Sequence, residues 1–171
     1  MELYRSHGIT RNPAQMTKES DGAWYYQQID LGYNYRMTEL QAALGVSQMT
    51  RLDEFITARH VLAKRYDELL KDIPVAIPWQ HPDSYSGLHL YVIRLKLNKI
   101  NKTHKEVFDE LRAKNIGVNL HYIPVYSQPH YQQFGFNAED FPEAEKYYQE
   151  AISLPMYSLL TFEQQDIVIA A

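Results

Sequence analysis

The longest regular pattern of apolar residues lies between Thr38 and Lys71. Its apolar positions recur at spacings of three and four, as in an amphipathic helix; they are Leu40, Ala43, Leu44, Leu52, Phe55, Ile56, Leu62, Ala63, Tyr66, Leu69 and Leu70. Thr38 and Gln41 fit a capping box at the start of this helix. Unbroken, it would be roughly 50 Å long, which is too long for a small domain alone. We therefore expect Gly45 or residues 50–53 to interrupt it, and we expect the helix to connect two lobes.

The residues after this helix alternate between strand and helix patterns. The predicted strands are residues 74–78, 88–97, 118–124 and 152–155, and the clearest alternation of apolar and charged side chains is in the second. Further helices are predicted to begin at Thr103, near Pro142 and at Thr161, where capping or helix-starting residues precede apolar periodicity. A long helix followed by alternating strands and helices indicates an α/β or α+β fold, with a small mixed sheet and helices packed on it.

Residues 1–37 show no sustained period and read as irregular. They contain four scattered glycines and polar clusters such as residues 18–21. An opening segment of this length without regular structure is uncommon in a compact domain. Either the segment is functional, or a larger structure normally supports it.

Composition excludes several classes of function. The net charge of −4 favours neither a nucleic-acid backbone nor an anionic membrane surface. The absence of cysteine excludes disulfides, a thiol nucleophile and cysteine-based metal sites, and it is compatible with the reducing cytoplasm, where we expect the protein. No apolar run has the length of a membrane helix, and the first residues carry no apolar core of a signal peptide.

The common catalytic constellations are missing from the sequence. It contains no glycine-rich phosphate loop, no histidine pair with a carboxylate at metal-binding spacing and no evident Ser-His-Asp arrangement. His60 and Lys64 share a helix face, but that face is otherwise charged, which favours simple solvation. The residues alone therefore do not indicate a self-contained enzyme.

Two stretches nevertheless carry candidate binding chemistry. Asn34 and Arg36 stand two apart in an extended segment just before the long helix, so they point the same way and could hold a phosphate. The alternative, a capped turn with polar surface residues, is favoured on these residues alone. The second stretch, residues 121–126, places a histidine and tyrosines at a predicted strand end, where they could bind a polar ligand or simply cover the sheet edge. The pattern does not distinguish these two roles.

Four motifs in this chain occur in the order and spacing of a known family. They are residues 5–8, 32–43, 121–124 and 153–157, which read Arg-Ser-His-Gly, Gly-Tyr-Asn-Tyr-Arg-Met-Thr-Glu-Leu-Gln-Ala-Ala, His-Tyr-Ile-Pro and Ser-Leu-Pro-Met-Tyr. The chain thereby resembles the DegT/DnrJ/EryC1/StrS aminotransferases over essentially its whole length, with the Asn-Tyr-Arg-Met stretch as the most specific part. These are fold-type-I enzymes that use pyridoxal 5′-phosphate (PLP) to transfer an amino group, usually from glutamate, to a keto sugar on a nucleotide.

The resemblance implies roles for five residues. Asn34 would contact the PLP phosphate of the neighbouring subunit, so the active sites of a homodimer would be shared. Arg36 would lie in the same site, near the anionic groups of cofactor and substrate. His121, Tyr122 and Tyr126 would line the pocket for the UDP-sugar substrate. No metal is implied.

The chain departs from the family at the residue that holds the cofactor covalently. That lysine belongs to a Ser-x-His-x-x-Lys motif, and none of the nine lysines here has this context. The resemblance thus implies a remnant of the large PLP-binding domain at 1–37, a connecting helix at 38–72 and a C-terminal small domain at 73–171. No catalytic lysine is expected in the chain, and we expect it to be inactive by itself. The alternative is a non-catalytic module that binds a nucleotide sugar or dimerises.

Overall fold

The computed structural model describes residues 1–171, which form two compact units. The first comprises Met1–Arg51 and the second Leu52–Ala171. The boundaries of these units differ from those of the three regions expected from the sequence, 1–37, 38–72 and 73–171. The assignment of those regions to parts of a larger enzyme stays a prediction.

The first unit has little regular structure before its main helix. It contains a one-turn helix α1 (Glu2–Arg5), a 3-10 turn (Pro13–Gln15) and two short strands, β1 (Ile9–Thr10) and β2 (Gln27–Gln28), that pair antiparallel. The main helix, α2, spans Glu39–Met49. The irregular character expected for residues 1–37 is therefore confirmed, apart from these short elements.

The long helical pattern is two helices rather than one. Helix α2 ends at Met49 and α3 spans Leu52–Leu69, so the interruption expected at residues 50–53 is confirmed. The Thr50 hydroxyl donates to the Ser47 carbonyl at 2.8 Å, a side-chain bond that competes with continued helix. The Arg51 N–H donates to the Gln48 carbonyl, three residues back, which tightens the last turn. Gly45, the other candidate, lies inside α2.

The second unit is built on a three-stranded sheet. Its strands β3 (Val75–Ala76), β4 (Tyr91–Leu95) and β5 (Ala151–Leu154) are ordered β3-β4-β5, and both pairings are antiparallel. The fold of helices with one small sheet is confirmed, although the sheet is antiparallel rather than mixed. In β4 the buried residues alternate as its sequence predicts, whereas all four residues of β5 are buried.

Four further helices belong to the second unit. They are α4 (His104–Ala113), α5 (Pro129–Gln132), α6 (Pro142–Glu150) and α7 (Phe162–Ala170), with 3-10 turns at Leu97–Lys99, Val125–Ser127 and Ala138–Asp140. Thr103 and Thr161 form the caps expected of them, each with a reciprocal capping box. The helix starts were predictable because a cap is a local feature.

The strand predicted at residues 118–124 is wrong. Only Asn119 pairs with Ser153, in an isolated bridge, and the chain then leaves the sheet as a loop. The Asn119 side chain accepts a hydrogen bond from the Leu120 N–H at 2.8 Å, a local bond that competes with a ladder. Pro124 has no N–H to donate to a neighbouring strand. The His121–Tyr122 peptide bond within this loop is cis.

Buried tyrosines join helix α3 to the sheet. The rings of Tyr66 and Tyr91 lie 4.9 Å apart, and the Tyr66 hydroxyl donates to the Pro155 carbonyl at 3.1 Å. Burial raises the pKa of Tyr66 to about 12. The core around them consists of Leu62, Ala63, Leu70, Val75, Leu88, Ile93, Leu95, Ile116, Val118, Ile152, Leu154, Leu160 and Val168. The second unit thus has a hydrophobic core of its own.

Candidate functional site

The segment that carries Asn34 is held in place by the Arg-Ser-His-Gly motif. The Tyr33 N–H donates to the Tyr4 carbonyl at 2.6 Å, and the Tyr33 carbonyl accepts from the His7 N–H at 2.9 Å. The Tyr35 N–H donates to the Arg5 carbonyl at 2.9 Å. Two motifs that lie far apart in sequence are therefore hydrogen-bonded neighbours.

Two glycines make this close backbone approach possible. Gly8 has a φ of +71°, and a Cβ there would lie 1.9 Å from the carbonyl oxygen of Asp30. A Cβ on Gly32 would lie 2.2 Å from the Gly8 nitrogen. Both distances are far below any real contact, so only glycine fits either position.

Asn34 and Arg36 project on one side of an extended segment. The rings of Tyr33 and Tyr35 stack with centroids 5.1 Å apart and planes 8° from parallel. Alternate side chains of an extended chain share a side, so Asn34 and Arg36 lie opposite the tyrosines. Both are exposed, and neither side chain makes a hydrogen bond or ion pair within the chain. An uncommitted amide and an uncommitted guanidinium side by side fit a phosphate.

Helix α2 adds less positive potential to this pair than its position suggests. Its first turn is satisfied internally, since the Thr38 hydroxyl accepts from the Gln41 N–H and the Gln41 side chain accepts from the Thr38 N–H. Glu39 places a negative charge in the same turn. Neutralisation of an anion here therefore depends chiefly on Arg36.

His121 is anchored to the sheet by the Ser-Leu-Pro-Met-Tyr motif. Its Nδ1 lies 2.8 Å from the hydroxyl of Ser153, a buried residue of β5. Its carbonyl accepts a hydrogen bond from the Tyr147 hydroxyl at 3.2 Å. The Nε2 atom has no partner within the chain. The His-Tyr-Ile-Pro and Ser-Leu-Pro-Met-Tyr motifs are therefore in contact, and the contact leaves one nitrogen of the His121 imidazole available to a ligand.

The two candidate tyrosines of this loop differ in how they are held. Tyr126 donates its hydroxyl to Glu145, a hydrogen bond that raises the pKa of Tyr126 to about 12, and its ring stacks on Phe141 at 4.8 Å. Tyr122 is 71% exposed, its hydroxyl has no partner and its ring meets the edge of His121 at 4.8 Å. Tyr126 thus stays neutral and fixes the loop, whereas the hydroxyl of Tyr122 is available to a ligand.

An aromatic patch beside this loop was missed at the level of sequence. Its rings contact one another in a continuous series and all of them are exposed: His130, Tyr131, Phe134, Phe136 and Phe141. The available signal was the density of rings between residues 130 and 141, most of them outside any periodic pattern. The patch extends the apolar surface next to residues 121–126.

The five candidate residues form two groups. Asn34 and Arg36 lie in the first unit, whereas His121, Tyr122 and Tyr126 lie in the second. The rings of His121 and Tyr122 are in contact, Tyr126 contacts Glu145 and Phe141 instead, and Asn34 and Arg36 stand two positions apart in one segment. The roles of all five toward a ligand stay predictions.

All nine lysines are exposed. Lys102 and Lys105 form ion pairs with Glu110 and Asp109, and Lys114 donates to the carbonyl of Ala171. A lysine that forms a Schiff base is usually activated by a desolvated pocket or by a neighbouring cation. No lysine here stands in a desolvated pocket.

The structure has neither a cluster of metal-ligating side chains nor a membrane-spanning helix. No group of three or more histidine, aspartate or glutamate side chains is placed to hold a metal ion. None of the helices combines the length and the apolar character needed to cross a membrane.

Comparison with known proteins decides the family. The model of the DegT/DnrJ/EryC1/StrS aminotransferase family matches residues 1–171. The chain belongs to this family. The resemblance carried by the four motifs is thereby confirmed.

Two curated relatives illustrate the match. The spore coat polysaccharide biosynthesis protein SpsC of Bacillus subtilis is 39% identical over 168 residues, which cover 96% of this chain and 43% of the relative. A UDP-4-amino-4,6-dideoxy-N-acetyl-β-L-altrosamine transaminase of Helicobacter pylori is 32% identical over 166 residues, 95% of this chain and 41% of that protein. The chain therefore spans about two fifths of the length of these relatives.

Solved structures agree with the family and show its cofactor. Helicobacter pylori PseC, an aminotransferase involved in pseudaminic acid biosynthesis, matches with a TM-score of 0.80 and 30% identity over 98% of this chain and 43% of its own. A putative sugar aminotransferase of Streptococcus pneumoniae in its PLP form matches with a TM-score of 0.82 and 25% identity, over 99% and 40% of the two chains. The cofactor of this family is PLP.

Proposed function

We propose that this chain is the C-terminal part of a PLP-dependent nucleotide-sugar aminotransferase. The intact enzyme would move an amino group, from glutamate, to C4 of a UDP-linked 4-keto-6-deoxy amino sugar, as in pseudaminic acid biosynthesis. The observation that carries the proposal is the uncommitted Asn34–Arg36 pair on a segment pinned by a second family motif. The names of the Helicobacter pylori relatives support the choice of sugar.

Asn34 and Arg36 would hold phosphate oxygens in the intact enzyme. PLP, when bound, supplies the electron sink that makes amino transfer possible. The Asn34 amide would donate to the cofactor phosphate of the neighbouring subunit, and the Arg36 guanidinium would balance the charge of cofactor and substrate anions. The active sites of a homodimer would then be shared.

The first unit supports the proposal because it lacks a core of its own. Only Gly8 and Thr10 are buried among its 51 residues. Its exposed large apolar residues include Trp24, Leu31, Tyr33, Tyr35, Met37, Leu40, Leu44, Val46 and Met49. A surface this apolar is ordinarily covered by other protein. The remainder of a large PLP-binding domain and the partner subunit are the covering surfaces that we propose.

The loop at residues 121–126 would shape the sugar-nucleotide pocket. His121 and Tyr122 offer an unpartnered Nε2 and an unpartnered hydroxyl, both suited to the many oxygen atoms of a sugar diphosphate. Tyr126, bound to Glu145 and stacked on Phe141, would border the pocket and hold the loop in shape.

The chain by itself would not complete the reaction. PLP chemistry requires a lysine that binds the cofactor covalently and moves a proton, and the exposed lysines here do not meet that requirement. We place the intact enzyme in the cytoplasm on the basis of its proposed nucleotide-sugar substrate, and the absence of cysteine from these 171 residues is compatible with that location.

A second candidate function is a non-catalytic module that binds a nucleotide sugar or dimerises. It is favoured by the complete hydrophobic core that the second unit has within residues 52–171. Saturable binding of a UDP-sugar to this chain without PLP would support it, and the absence of such binding would count against it.

His121→Ala in the intact enzyme tests the proposed pocket. We expect the KM for the sugar nucleotide to rise about 5- to 10-fold, the equivalent of one lost hydrogen bond. The KM for glutamate should change little, because this loop is proposed to touch only the sugar nucleotide. His130→Ala is the matched control, since the His130 side chain contacts Tyr131, Phe134 and Gln133 and none of the proposed pocket residues. Equal losses for both substrates would instead indicate a folding defect and contradict the assignment.

A further inference from the structure

Ser153 occupies a fixed and buried position beside the proposed pocket. It is 4% exposed and pairs with Val92 in the ladder between β4 and β5. Its N–H donates to the Asn119 carbonyl at 2.8 Å, and its carbonyl accepts from the Asn119 N–H at 3.2 Å. With both backbone groups held, the direction of the side chain is set by the sheet.

The hydroxyl of Ser153 has a single hydrogen-bond partner, Nδ1 of His121 at 2.8 Å. A hydroxyl can donate or accept, so the distance alone does not place the proton. If Nδ1 carried the proton, the buried Ser153 hydroxyl would accept it and its own proton would have no acceptor. Buried donors without a partner are strongly disfavoured. The hydroxyl therefore donates, Nδ1 accepts, and the proton of the neutral imidazole lies on Nε2.

We propose that Ser153 is a positioning residue that fixes His121 in the Nε2–H tautomer and makes it a hydrogen-bond donor to the ligand. The Tyr147 hydroxyl holds the His121 carbonyl at 3.2 Å, so main chain and ring are both anchored. The unpartnered Nε2–H is then suited to an acceptor oxygen, such as one of a phosphate or an acetamido group. A neutral His121 in this form presents no lone pair to remove a proton from a ligand.

The ligand part of this inference depends on the proposed function, whereas the tautomer does not. The tautomer is therefore measured first, on the 171-residue chain without any ligand. Long-range ¹⁵N–¹H correlation spectra at alkaline pH distinguish the two neutral forms of each imidazole. His60 and His104 serve as internal references, because their Nε2 atoms lie 2.8 Å from carbonyl oxygens, which can only accept. His121 is assigned by the loss of its signals in His121→Gln.

Three variants connect the tautomer to Ser153. Ser153→Ala removes the donor, Ser153→Thr keeps a hydroxyl, and Ser127→Ala is the matched control, because Ser127 bonds the Pro124 carbonyl in the same loop. We expect wild type, Ser153→Thr and Ser127→Ala to share the Nε2–H signature. Ser153→Ala should show a mixture of tautomers, while its amide spectrum remains that of a folded protein. An Nδ1–H signature in wild type, or an unchanged Nε2–H signature in Ser153→Ala, would overturn the inference.

A second measurement tests the ligand part in the intact enzyme. Ser153→Ala should raise the KM for the sugar nucleotide about 5-fold, with kcat and the KM for glutamate nearly unchanged, and Ser153→Thr should restore it. If the tautomer depends on Ser153 but this KM does not move in Ser153→Ala or in His121→Ala, His121 does not contact the ligand. That result would overturn the donor role and the proposed pocket together, while Ser153 would keep its role toward the tautomer.

Discussion

Asn34→Ala in the intact enzyme is expected to weaken PLP retention roughly 10- to 100-fold. The basis is one amide hydrogen bond to a charged phosphate oxygen, which contributes about 1.5–3 kcal/mol. Nothing else in the chain uses this amide, because the Asn34 side chain has no partner of its own. The loss should therefore appear in cofactor affinity and not in stability. Titration of the apoenzyme with PLP, monitored by the absorbance of the cofactor, measures this loss of affinity.

The control for this experiment is Asn98→Ala, an exposed asparagine in the 3-10 turn after β4. It should bind PLP as the wild type does. Arg36→Lys and Arg36→Ala extend the series, since lysine keeps the charge but loses the planar pair of donors. Unchanged cofactor affinity in Asn34→Ala, with normal folding, would remove Asn34 from the phosphate site.

Gly8→Ala is expected to disrupt the first unit. The backbone at Gly8 has a φ of +71°, which costs a residue with a side chain about 1–3 kcal/mol in strain. The new Cβ would also collide with the Asp30 carbonyl, at a distance of 1.9 Å, so backbone must move. That movement should loosen the hydrogen bonds that hold residues 33–36. Faster amide hydrogen exchange at Tyr33, Tyr35 and His7 of the 171-residue chain would report it.

Gly45→Ala is the opposite case in the same unit. Gly45 lies within helix α2 and a Cβ there would meet nothing within 4 Å. Alanine should stabilise the helix by about 0.5–1 kcal/mol. For Gly8→Ala, in contrast, normal hydrogen exchange at Tyr33 and Tyr35 would show that Gly8 is not needed for the hydrogen bonds that hold residues 33–36.

Much of the fold could be predicted because its signals are local. The caps at Thr38, Thr103 and Thr161 each depend on side chains three residues apart, and all three form as expected. The interruption of the long helix at residues 50–53 and the alternation in β4 also follow from neighbouring residues. Local features of this kind can be recognised in a single sequence.

The arrangement around the candidate site could not be predicted in the same way. The motif residues Asn34 and His121 were recognised, but the hydrogen bonds that hold their segments, to residues 4–7 and to Ser153, span 26 or more positions along the chain. The prediction of a strand at residues 118–124 was wrong for a related reason. Its apolar pattern was adequate, but the Asn119 side chain and Pro124 prevent a continued ladder. The hydrophobic periodicity of a segment does not indicate which of its side chains will accept a hydrogen bond from a backbone N–H.

The most direct test of the account is reduction of the 171-residue chain with borohydride in the presence of PLP. Mass spectrometry then locates any pyridoxyl-lysine. We predict no label, or a scattered substoichiometric label, because all nine lysines are exposed and none stands in a pocket built for the cofactor. Stoichiometric labelling of one lysine would contradict the account and show that this chain carries a PLP site of its own.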